Sequence, residues 1–182
     1  MSDYTKFLHD VKMSKDKLGF NHMEQNLWDA LHDDKTKLEL AVLTVYLCTV
    51  SAPYARFIHG PRTEAANMLK LGPYHFKLKE HIQKLIDNPS IAIGPNARSM
   101  DATLDGESWQ HPDAMRVIIT QASDLPHLKE LFIAFMTEVL VVWERFTSEF
   151  EYGRLIDTAM AEEKDLAWML TMKDANEGHL GG

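Results

Sequence analysis

Leu38-Glu-Leu-Ala-Val-Leu-Thr-Val-Tyr-Leu-Cys-Thr-Val-Ser-Ala52 (LELAVLTVYLCTVSA) carries one charge, Glu39, in fifteen residues. A helix with one wet face shows polar residues returning every three to four positions, and this stretch is apolar nearly all round. It therefore predicts a helix packed on several sides, at the centre of an all-α bundle. The uncharged run from Leu40 to Ala55 is sixteen residues. A membrane span usually needs about 20, so a buried helix is expected and no membrane partner. Pro53 should kink or end it, because proline lacks the N–H that continues the hydrogen-bond ladder.

The flanking sequence repeats the helical period. Tyr4, Phe7, Leu8 and Val11 mark a first helix, with Gly19 as its stop. Asn21 with Glu24 has capping-box spacing and opens a second helix, with Phe20, Met23, Leu27 and Leu31 as its buried stripe. Thr36 with Glu39 has the same spacing and should open the central helix. Pro61–Leu71 reads as a short helix closed by Gly72, and Pro73 starts another that runs to Asp87. Residues 114–121 favour a strand by propensity at Val117-Ile118-Ile119-Thr120, yet no partner strand is apparent, so a helix from Pro112 is expected. Asp124 should cap a long helix, Leu125–Phe150, buried along Leu128, Phe132, Phe135, Val139, Trp143, Phe146 and Phe150. A last helix carries Leu155, Ile156, Ala159, Met160, Leu166 and Leu170.

The expected fold is all-α: an irregular arrangement of about seven helices, in one domain over residues 1–175 with a flexible tail at 176–182. A long loop, residues 88–113, interrupts it. Three prolines, two glycines and many short polar residues leave no period there. Loops of this length are usually functional or disordered.

Net charge is −8, distributed unevenly: +4 over residues 56–84 and −10 over residues 85–182. An acidic total argues against indiscriminate nucleic-acid binding, whereas the basic middle leaves room for a local anion site. There Arg56, Arg62, Lys77 and Lys84 alternate with aromatic residues including Tyr74, a composition that suits phosphate neutralisation with base stacking. The plainer reading, which we favour, is that this segment balances the acidic half within the molecule or across a homo-oligomer. In the loop, Trp109 is either a docking anchor or, with Arg98, a contact for a protein partner. Asp101, Asp105 and Glu107 match no EF-hand spacing, and Leu104-Asp105-Gly106-Glu107 reads as a turn.

His22, Asn26, Asp29 and Asp33 share one helix face that could ligate a cation, but an amphipathic helix needs a wet side and no more. The His9-Asp10 and His32-Asp33 dipeptides are of a kind that metal-dependent phosphohydrolases use, without further ligands that can be placed. Glu138 is expected on the solvated side of its helix, with Ala134 and Arg145. The lone Cys48 excludes an internal disulfide, fits a reducing, intracellular setting and should be a buried inert thiol. No phosphate-binding glycine loop, Cys-x-x-Cys pair, serine elbow or dinucleotide fingerprint occurs. No catalytic residue, metal ligand or cofactor is assigned. The expectation is a non-enzymatic helical interaction or assembly protein that associates with itself. Nucleic-acid or phosphate binding through 54–84 is the alternative, and a metal-dependent hydrolase a second one.

Overall fold

The computed structural model describes residues 2–14, 20–59 and 67–166, and these residues form helices and no strand. The protein is all-α, and residues 114–121 are helical within α8 (Pro112–Gln121). Helices α1 (Ser2–Ser14) and α2 (His22–His32) lead into α3 (Asp34–Tyr46). Asn21 and Glu24 form the expected capping box. The cap of α3 differs from expectation. Asp33, not Thr36, is its N-cap, with a side-chain oxygen accepting the Thr36 N–H at 2.7 Å.

The central helix does not end near Ala52. It passes through a π-helical turn, Leu47–Ser51, into α4 (Ala52–His59), giving one continuous helical run across Pro53. The reason lies in one carbonyl. In a regular α-helix the Thr49 oxygen would accept from residue 53, which as proline has no N–H. The Leu104 N–H, from the far end of the long loop, donates to that oxygen instead at 3.0 Å. A π turn is a common way to absorb such a local mismatch. Asp34–Ile58 is long and apolar enough to cross a bilayer by length and composition, though Val42, Val45, Cys48 and Val50 are buried among other helices.

α5 (Gly72–Asp87) starts with proline in its first turn, as expected, and packs on α9 (Leu128–Phe146) and on the central helix. Val45, Leu78, Ile82, Leu85, Met115, Phe132 and Met136 form the core between them, each essentially without solvent exposure. Met68–Lys70 is a 3₁₀ turn, and the rest of the helix expected from Pro61 lies outside the described residues.

α9 is shorter than expected. Asp124 ends a 3₁₀ turn, Ala122–Asp124, and the helix starts only after His127, whose φ is 68°. It stops at Phe146, beyond which the main core runs out. Phe146 is consequently 72% exposed instead of buried. Phe150 is buried in a smaller cluster with Ile58 and Leu71. The expected stripe of α2 is likewise not a buried one: Met23 is 80% exposed and no α2 residue is fully buried. The last helix divides into α10 (Leu155–Thr158) and α11 (Ala161–Leu166), and its continuation to Leu170 and the tail at 176–182 fall outside the described residues.

Candidate functional site

The loop 88–113 is ordered by a short list of contacts. It contains two helical turns, α6 (Ser90–Ile93) and α7 (Ser99–Ala102), so it is not without structure of its own. Short helices of four residues escape a periodicity test, which needs two turns or more. The Thr103 hydroxyl lies 2.9 Å from the Ser99 carbonyl and 3.0 Å from that of Glu107, which folds the loop back on itself. Buried His81 of α5 donates from Nε2 to the Ala102 carbonyl at 3.1 Å. Lys84 donates to the Asp101 carbonyl at 2.8 Å. With the Leu104–Thr49 bond, these contacts tie α5, the loop and the π turn together.

Arg56 completes this arrangement. Its Nε and a terminal nitrogen bond both carboxylate oxygens of Asp105, at 2.9 and 3.1 Å. Burial by itself would raise the Asp105 pKa, but the Arg56 bonds and the Glu107 N–H together hold it below the usual carboxylate range. The hydrogen bond to Asp105 in turn raises the Arg56 pKa. The Arg56 charge is thus used inside the molecule.

The other anticipated residues do not gather around it. Tyr74 is half-buried, its ring stacked on Phe57 with centroids 3.6 Å apart, and its buried hydroxyl has no hydrogen-bond partner among the described residues. Burial, foremost, raises its pKa strongly. Lys77 and Lys84 lie on one exposed face of α5, whereas Arg62 lies outside the described residues. Lys84 and Arg98 both line, with Asn96 and Asp101, a shallow depression of about 390 Å³. Trp109 is half-buried against the main core, the docking arrangement. Cys48 is fully buried, and burial raises its pKa, so the thiol stays protonated and unreactive. His22 bonds Asn26 at 3.2 Å and Gln25 bonds Asp29 at 2.8 Å, all exposed. Among the described residues no three His, Cys, Asp or Glu side chains converge as a metal site would require.

The second candidate surface is apolar and was not legible as such. Tyr46 packs on Phe135 with centroids 5.5 Å apart, and Tyr54 on Trp143 at 5.0 Å. Both steps are eight residues, so the central helix and α9 run side by side in the same direction. Leu40 and Leu43 of α3 and Leu47 at the start of the π turn are 43%, 48% and 38% exposed on the outer side of the central helix. Val141, Val142 and Phe146 are 53%, 48% and 72% exposed on α9. Helical geometry places Leu43 and Leu47 on the side of the central helix that turns outward beside α9, and Val142 on the matching side of α9. Searches with this chain found no match among protein-family models, curated proteins or solved structures.

Proposed function

We propose that this chain is a non-enzymatic assembly protein that associates with a second copy of itself through the outer face of α3 and α9. The observation that carries the reading is the run of exposed leucine, valine and phenylalanine side chains on two adjoining helices. Single apolar residues on a surface are ordinary, but a contiguous patch across neighbouring helices is a recurrent mark of an interface. The loop supports the reading by bracing the central helix at its π turn, through the Leu104 N–H and the Arg56–Asp105 pair, so the face is presented on a stiff element. Rigid elements lose less freedom on association.

Sedimentation velocity over a range of protein concentrations tests this directly. A dimer that dissociates on dilution, and is weakened by Leu43→Asp with Leu47→Asp, is expected. A chain that stays monomeric at every concentration overturns it. A second reading draws on Lys84 and Arg98 lining one depression, an arrangement able to hold a phosphate group. Titration with inorganic phosphate, following the Arg98 and Lys84 resonances, should show saturable shifts if it holds and none if it does not.

A further inference from the structure

Resting on the self-association reading, we infer that the dimer is two-fold and antiparallel, with its axis passing between Val141 and Val142 of α9. The outer face of this helix carries Ala134, Glu138, Val141, Val142 and Arg145, all exposed. Steps of four, three and four residues from Ala134 through Glu138 and Val141 to Arg145 make a continuous stripe, the spacing of a helix–helix seam. Within the described residues neither the Glu138 carboxylate nor the Arg145 guanidinium takes part in an ion pair; Arg145 only overlies the Phe146 ring, 5.8 Å from its centroid.

The stripe is complementary to its own reverse. In an antiparallel pair centred between residues 141 and 142, Glu138 of one copy falls opposite Arg145 of the other, and this happens twice by symmetry. Val141 and Val142 sit at the axis and pack on their symmetry mates. A parallel pair would instead set Glu138 against Glu138 and Arg145 against Arg145, two like-charge contacts. Charge therefore selects the direction.

The apolar residues fit the same axis. The aromatic pairs Tyr46–Phe135 and Tyr54–Trp143 put Leu47 level with Met136 along the two helices. Residue 136 lies about as far to one side of the axis as Phe146 lies to the other, at a rise of about 1.5 Å per residue. Rotation about the axis thus brings the Leu47 of one copy to the Phe146 of the other. The most exposed aromatic of α9 is covered by a leucine that the central helix leaves bare. Each α9 then rests in the groove between α9 and α3 of its mate, a four-helix contact of isologous form.

Sedimentation velocity of the full chain and of three variants tests the assignment. Glu138→Arg should weaken the dimer by on the order of tenfold or more, because it faces Arg145 with a like charge at two symmetric places. Arg145→Glu should do the same. Combining both substitutions should restore association to about the level of the unchanged protein, since the pairs re-form with signs exchanged. Both positions are solvent-facing, and circular dichroism would verify that the helices persist. Unchanged dimerisation in both single variants, or no recovery in the double variant, overturns this interface while leaving self-association intact. A protein that is monomeric throughout removes the parent reading as well. Binding of the unchanged chain to neutral phosphatidylcholine vesicles, blocked by Phe146→Asp, would give this face to a lipid surface and overturn the proposal.

Discussion

Lowering the pH should destabilise this protein in large part through one buried ring, that of His75. The residue is 5% exposed, and its neighbours are aromatic: Tyr54 and Trp143 lie near its ring, and Phe150 meets it edge-on with centroids 4.6 Å apart. Among the described residues its buried Nδ1 has no hydrogen-bond partner, and Nε2 has only the Tyr54 hydroxyl at 3.4 Å. Burial, and secondarily the charge of Lys79, lowers its pKa to about 4. In the unfolded chain the ring should titrate near its ordinary value of about 6.5. Below that value the unfolded state binds a proton that the folded state does not. Stability therefore falls as pH drops from about 6.5 toward about 4, and this contribution levels off below. The full difference corresponds to about 3 kcal/mol, of which about 2.5 kcal/mol is lost by pH ~4.5. Urea unfolding of the unchanged protein and of His75→Phe at about pH 7.5 and about pH 4.5 measures it. The variant should lose about 2 to 3 kcal/mol less on acidification, because it cannot take up that proton. Buried His81, whose pKa burial also lowers, titrates in both proteins and cancels in the comparison. Equal acid losses in the two proteins would refute the reasoning.

Three further outcomes follow from the same structure. Phe132→Ala removes a ring with no solvent exposure from the centre of the main core and should cost about 3 to 5 kcal/mol in chemical denaturation; a loss under about 1 kcal/mol would mean the core closes around the gap. Arg56→Ala breaks a partly exposed pair, so its effect on global stability should be about 1 kcal/mol or less. Amide exchange should nevertheless speed up at Asp105 to Glu107, while the Leu104 amide, held by Thr49, remains protected; uniform exchange across 104–107 would contradict this division. Gly94→Ala places a Cβ 2.4 Å from the Ser90 carbonyl oxygen and should lower stability by on the order of 2 kcal/mol, seen as a reduced melting temperature; an unchanged value would show that α6 yields freely.

Much of the candidate surface was hidden from the sequence for a geometric reason. Periodicity identifies the apolar side of a helix, but not how far along that side the neighbouring helices reach. Phe146 continues the same stripe as Phe132 and Trp143, yet α9 extends past the main core and leaves it bare. Met23 keeps its helical spacing and is exposed because none of the described elements covers its face of α2. Conversely, Arg56 and Tyr74 were candidate ligand contacts by composition, while Arg56 is engaged by Asp105 from forty-nine residues away and Tyr74 by Phe57. Glu138 was read as solvated and is exposed, and the proposed contact with Arg145 of a second copy depends on their common helix face being open.

What the residues determine alone is local: helical period on either side of the loop 88–113, the Asn21–Glu24 capping box, the proline start of α5, the buried thiol and the all-α class. These rest on hydrogen bonds and spacings within one or two turns, which a chain carries wherever it is placed. The tertiary structure decides where those elements stop and what remains exposed. The clearest case is Pro53. By its own chemistry it should break the central helix, and the helix continues because a carbonyl left unpaired at Thr49 receives the N–H of Leu104. A donor arriving from a distant loop is not written in the period of any single segment.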